Sequence, residues 1–274
     1  MVRMSSRRSW AVGLLSASVV AGVVLVLVGT AAGDQQPEDV RALSDKLDDP
    51  EVIAQGRSLF ERACVSCHGD GGQGSDFGPS LLSDGATGAD FMLRTGRMPL
   101  ASPVPQAPSK PQAFSDEETD ALVAYVADLA EDRALPVVEA AAGDLVLGGE
   151  LFRANCAPCH NASAIGGALS FGQHAPSLLE VPGQQIGEAM RFGPGEMPVF
   201  GEDVFSDHEM NSIVRYVDYL KDPDDPGGLS LGRIGPVTEG FAAWIIGMAA
   251  LLIGIRWVTA KLWQRRTEET EVGV

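Results

Sequence analysis

All four cysteines of this 274-residue chain fall into two identical patterns, Cys64-Val65-Ser66-Cys67-His68 and Cys156-Ala157-Pro158-Cys159-His160. Two thiols at this spacing on a helix edge can reach the two vinyl groups of one haem and form thioethers. The histidine that follows is then set to coordinate the iron from one face. Competing chemistries fit less well. A structural zinc site needs four ligands and each pattern supplies three. A thioredoxin-like dithiol expects a βαβ context, which the flanking sequence lacks. Disulfides are open to an exported chain, but a duplicated cysteine pair with the same adjoining histidine is better explained by haem. The expectation is two covalently bound haem c groups, with His68 and His160 as axial ligands.

A sixth ligand must come from downstream. Met98 and Met197 are the methionines in matched Gly-x-Met-Pro turns, Gly96–Pro99 and Gly195–Pro198, and are assigned as the distal thioether ligands. Met92 and Met190, in apolar helical stretches, read instead as core fillers. His/Met ligation raises the reduction potential and leaves no open position on the iron, which suits an electron carrier rather than an oxygen activator. A ligating imidazole normally donates its other N–H to a carbonyl, and the carbonyls of Pro79 and Pro176 are the candidates. His174 and His208 read as surface residues.

The elements that hold these groups repeat as well. Gly56–His68 aligns with Gly148–His160 at an offset of 92 and shares Leu59/Leu151 and Phe60/Phe152. Three further blocks follow in the same order. They are Pro79–Leu82 with Pro176–Leu179, the two methionine turns, and Phe114–Val126 with Phe205–Val217. This is a duplicated domain of about 90 residues, expected over 45–132 and 143–222. Asp49 reads as an N-cap with Pro50 behind it, opening a helix toward Cys64. Ser115 with Glu118, and Ser206 with Glu209, form capping boxes ahead of apolar-periodic runs. Strand signals are few, so the fold class is all-α, with thin cores that the haems complete. Ala101–Gln112, which carries Pro103, Pro105, Pro108 and Pro111, is an extended loop inserted after Met98; a docking surface and a passive excursion both fit it.

Hydrophobicity is concentrated at the two ends. Trp10–Ala32 runs 23 residues without a charge behind Arg3, Arg7 and Arg8, spanning roughly 34 Å as a helix. It is either a retained anchor or a cleaved signal ending near Thr30-Ala31-Ala32, so residues 1–33 are assigned to an N-terminal anchor or signal segment. A linker at 223–239 leads to a second apolar run at 240–260, with Trp244, Trp257 and Trp263 toward its ends and Lys261, Arg265 and Arg266 behind it. It is expected to be a C-terminal transmembrane helix with a tail at 261–274. Both runs have their basic residues on the terminal side. The positive-inside rule therefore puts the haem domains outside the cytoplasm and both termini inside it if the first segment is retained. Of the formal charge of −17, segment 34–255 carries 13 Lys+Arg against 34 Asp+Glu, a net of −21. Such acidity argues against nucleic-acid binding. The 45% hydrophobic content argues against disorder, and four cysteines are too few for a disulfide-stapled miniprotein.

A tandem pair of class I c-type cytochrome domains followed by a C-terminal helix resembles the dihaem cytochrome cc subunit of actinobacterial cytochrome bc complexes. The residues that carry the resemblance are Cys64-Val65-Ser66-Cys67-His68-Gly69, Ser170-Phe171-Gly172 ahead of Pro176, and Gly235-Pro236 through Glu239-Gly240 to Trp244-Ile245-Ile246-Gly247-Met248. The resemblance implies a membrane-anchored subunit of a quinol–cytochrome c reductase, whose partners are cytochrome b, the Rieske iron–sulfur subunit, a haem–copper terminal oxidase and membrane lipid. Electrons would pass from the Rieske centre to the oxidase in place of a diffusible cytochrome c. The alternatives are a dihaem subunit of a cbb-type cytochrome c oxidase and an electron acceptor of a periplasmic dehydrogenase.

Overall fold

The computed structural model describes residues 35–224 and 236–272. The anchor or signal segment expected at 1–33, and residues 225–235 of the expected linker, lie outside the described residues. The helices are α1 (Pro37–Ser44), α2 (Pro50–Ala63), α3 (Val65–His68), α4 (Gly85–Arg94), α5 (Asp116–Ala130), α6 (Leu145–Asn155), α7 (Ala157–His160), α8 (Gly183–Phe192), α9 (Asp207–Lys221) and α10 (Pro236–Val272). Contacts divide the chain into two compact units. One is the chain up to Val138 together with Pro182–Phe200, and the other is Glu139–Val181 with Gly201–Val274.

In the first unit, Asp49 caps α2 by accepting from the Glu51 and Val52 amides at 2.8 and 3.5 Å, with Pro50 at the first helical position. Ser115 opens α5 with a reciprocal capping box: its hydroxyl accepts from the Glu118 amide at 3.2 Å, and Glu118 accepts from the Ser115 amide at 3.0 Å. Helices α2 and α4 both pack on α5. The α2–α5 crossing is close because Gly56 lies at the contact; a Cβ there would collide with the Ala121 carbonyl. One turn on, the Phe60 and Tyr125 rings meet edge to face at 5.2 Å. Leu43, Leu47, Phe60, Leu122 and Val123 are buried around this crossing, each contributing about 1.5–3 kcal/mol of apolar burial.

Packing starts before residue 45, the expected domain boundary: α1 puts Val40 and Leu43 in the interior because its apolar positions, three apart, share one face. Residues 182–200 also group with this unit. Helix α8 buries Gln184, Ile186, Glu188 and Met190, and its Phe192 ring lies 6.1 Å from Phe91 on α4.

The second unit repeats the plan. Asp144 caps α6, accepting from the Leu147 amide at 2.8 Å, and α6 packs on α9. Gly148 stands where Gly56 did, facing the Ser212 carbonyl, and Phe152 lies 5.5 Å from Tyr216. The matched residues of the two repeats are thus the residues of one helix crossing made twice. The Ser206–Glu209 capping box forms, and α9 buries Met210, Ile213, Val214 and Val217. The expectation of an all-α fold needs one small addition. Gly167–Ala168 and His174–Ala175 form an antiparallel ribbon, Gly167 opposite Ala175 and Ala168 opposite His174, too short to leave a period in the sequence. Helix α10 contains an apolar stretch, Glu239–Trp263, of 25 residues, long enough to cross a bilayer, and none of it is buried within the protein.

Candidate haem-binding sites

Each cysteine motif sits on a helix end made by backbone geometry. Cys64 closes α2, its amide donating to Phe60 O at 2.8 Å, and also starts α3, its carbonyl accepting from the Cys67 and His68 amides at 3.1 and 2.9 Å. The one-turn helix stops at Gly69, whose φ of 77° lies in the left-handed region. Cys156 does the same for α6 and α7, accepting from the Cys159 and His160 amides at 3.1 and 2.8 Å. There the stop is Asn161 at φ 68°, a residue type that tolerates this conformation.

His68 and His160 are both buried. The Nδ1 atom of His68 donates to Pro79 O at 2.8 Å, and that of His160 donates to Pro176 O at 3.0 Å. A carbonyl only accepts, so Nδ1 must carry the hydrogen and Nε2 keeps its lone pair for a metal. Burial lowers the His160 pKa below its ordinary value against the opposing pull of the Pro176 carbonyl, which favours the neutral, ligating form. The four cysteines are free thiols. Burial, reinforced by the neighbouring Cys67, pushes the Cys64 thiol up to about 11, and burial with Cys159 does the same for Cys156. Two unpaired thiols and one imidazole with its metal-facing nitrogen free are the donor set of a haem c attachment site, and the residues present fit that group.

Met98 is half-buried and packs against the same apolar cluster as Cys64 and Val65. Its amide donates to Met92 O at 3.0 Å, which ties the turn to α4. Met197 is half-buried in the turn after α8, its amide donating to Pro194 O at 3.2 Å. Met190 is buried, as expected of a core residue, and Met92 is half-buried. His174 and His208 are exposed. Sequence reasoning missed the loop that holds the first motif from behind. The Ser75 hydroxyl donates to Cys67 O at 2.6 Å, the Gly74 amide donates to His68 O at 2.7 Å, and Gly78 lies against Cys67. The glycine-rich composition of 69–78 was the available signal, but it does not say which carbonyl each turn reaches.

Helical domains with Cys-x-x-Cys-His on a helix end and its histidine tied to a proline carbonyl define a c-type cytochrome. A family model described as cytochrome c oxidase, cbb3-type, subunit III, matches residues 51–126 and 143–217. The chain is 38% identical over 256 residues to the cytochrome bc1 complex cytochrome c subunit of Mycobacterium tuberculosis, covering 90% of this chain and 91% of the relative. It is 34% identical over 263 residues to that of Corynebacterium diphtheriae, covering 88% and 94%. Over 88 residues it is 35% identical to the menaquinol:cytochrome c reductase cytochrome c subunit of Bacillus subtilis, covering 30% and 34%. The chain belongs to the family of cytochrome bc1 complex cytochrome c subunits, haem c proteins of electron transport.

Proposed function

We propose that this chain carries electrons from a Rieske iron–sulfur centre to a haem–copper terminal oxidase, as the dihaem cytochrome c subunit of a quinol–cytochrome c reductase. Cys64 and Cys67 would hold one haem and Cys156 and Cys159 the other. His68 and His160 would ligate the iron of each, and Met98 and Met197, by their matched turns, would supply the second ligand. Bound haem supplies a one-electron centre whose potential His/Met ligation raises. The protein's part is to orient the two imidazoles through the Pro79 and Pro176 carbonyls and to keep them from water. The observation that carries this reading is the repeated helix end, with both imidazole Nδ1 atoms donating at 2.8 and 3.0 Å, in a chain that also has an exposed apolar helix.

Helix α10 would anchor the protein in the cell membrane with the haem domains on the extracytoplasmic side and the tail in the cytoplasm. Tethering raises the effective concentration of the carrier at its donor and acceptor and removes a diffusive step. Cytochrome b and the Rieske protein are the expected partners within the complex. The description of the matching family model favours a second reading, a subunit of a cbb-type oxidase. That model matches the two cytochrome domains separately, whereas the mycobacterial relative spans 90% of the chain and names a bc1 complex.

Purification of the full chain by a C-terminal tag in mild detergent tests the proposal. Cytochrome b, the Rieske protein and haem–copper oxidase subunits are expected to co-purify. Recovery with a cbb-type catalytic subunit or a dehydrogenase, without cytochrome b, would overturn it.

A further inference from the structure

The loop after Met98 returns to the turn it leaves. Its far end, Ser109 and Lys110, meets the turn on both sides of the methionine. The Lys110 amide donates to Thr95 O at 3.2 Å and the Ser109 hydroxyl donates to the same oxygen at 3.0 Å. The Lys110 ammonium donates to Pro99 O at 2.8 Å. Lys110 therefore bridges the residue three before Met98 and the residue one after it. The approach is close enough to require Gly96, which lies at φ 62° and at which a Cβ would collide with the Lys110 carbonyl. Beyond the bridge, the Gln112 side-chain amide donates to Phe114 O at 2.9 Å and Thr119 Oγ1 at 2.9 Å, fastening the loop to the start of α5.

The second methionine turn is built without this segment. Met98 and Phe114 stand 16 positions apart, whereas the matched Met197 and Phe205 stand 8 apart. There the closing bonds come from α8 itself: Arg191 Nη1 donates to Phe200 O at 3.0 Å and the Phe200 amide donates to Met190 O at 2.7 Å.

We propose that Pro99–Pro111 is a strap that positions Met98, with Ser109 and Lys110 as its positioning residues; this rests on the reading of Met98 as an iron ligand. A thioether is a neutral, readily displaced donor, so the fraction of time it is bound depends on how far its turn is restricted beforehand. Pro103, Pro105, Pro108 and Pro111 cut the freedom of the strap, and its two side-chain bonds transfer that restriction to Thr95 and Pro99.

The test uses the full-length, haem-loaded protein in mild detergent, with imidazole as the competing ligand. Two signals are followed at each haem: imidazole affinity and the weak long-wavelength ferric absorption that reports methionine sulfur on iron. Ser109→Ala/Lys110→Ala is expected to tighten imidazole binding about tenfold at one haem only, as loss of two hydrogen bonds implies. Both haems should stay attached by mass. Met98→Leu should remove the sulfur signal from that same haem, and Ser109→Ala/Lys110→Arg, which keeps a donor for the Pro99 carbonyl, should bind imidazole more nearly as the parent does than Ser109→Ala/Lys110→Ala. Gly96→Ala, which forces the strap off the turn from the other side, should act like the double variant. If Met98→Leu alters one haem while the double variant and Gly96→Ala bind imidazole as the parent does, the strap is passive and the proposal fails. If Met98→Leu alters neither haem, the ligand assignment itself is wrong and the strap has nothing to position.

Discussion

Glu188 on α8 is fully buried, and replacing it with glutamine gives a sharp test of how the first unit tolerates that acid. Its Oε1 accepts from Gln184 Nε2 at 2.8 Å, whereas Oε2 has no hydrogen-bond partner if the group is ionised. Asp90 is in hydrogen-bond contact with it and accepts from Arg94 Nε at 2.7 Å. Arg94 also holds Asp120 at 2.5 Å and Asp116 at 3.3 Å. Burial pushes both carboxyls upward, Glu188 well above its ordinary value, while Arg94 pulls Asp90 back. The proton therefore rests on Glu188 Oε2 and is donated to Asp90. Because the folded pKa is raised, the stability linked to this proton is complete below the ordinary glutamate pKa of about 4.3 and is lost as pH rises toward the folded value. One proton sets a slope of about 1.4 kcal/mol per pH unit inside that window. Glu188→Gln keeps the shape and offers an N–H to Asp90 with nothing to ionise. Urea unfolding of the haem-loaded chain, followed by far-ultraviolet circular dichroism across a pH series, should show the variant gaining on the parent by about this slope. Parallel stability curves for the two proteins would refute the assignment of the proton.

Other expected outcomes follow from the two helix crossings and the motifs. Gly56→Val should cost about 3 kcal/mol or more, because the added atoms meet the Ala121 carbonyl at the α2–α5 contact, and thermal unfolding checks it. Phe152→Ala should cost about 3–5 kcal/mol by denaturant titration, since the ring is fully buried and lies 5.5 Å from Tyr216. Ser206→Ala should cost about 1 kcal/mol by losing the cap of α9. Cys64→Ser/Cys67→Ser should lower the mass of the intact chain by one haem while the other remains attached. Met197→Leu should leave both haems attached and lower one midpoint potential in a redox titration.

Much of the site was legible because haem c attachment is a local chemistry. Two thiols and an imidazole must sit within five consecutive residues, so the requirement is written in the chain itself. The duplication helped further: it paired Gly56 with Gly148 and Phe60 with Phe152, and the structure puts both pairs at the same helix crossing. Capping residues Asp49, Ser115 and Ser206 were equally readable, since a cap bonds to amides two or three positions away. The start of the first unit was not, because Val40 and Leu43 make a short amphipathic signal whose burial depends on what α1 meets.

The sequence alone determined the two Cys-x-x-Cys-His motifs, the repeat, the helical class and the apolar C-terminal helix, all properties of short-range spacing or of period. Tertiary structure alone decided that Lys110 returns to bracket Met98, that Ser75 holds the back of the first motif, and that residues 182–200 group with the first unit. It also brought Glu188 against Asp90, 98 positions apart. Such contacts depend on burial and on where a loop closes, and loop closure leaves almost no trace in local propensity because its cost varies only slowly with length.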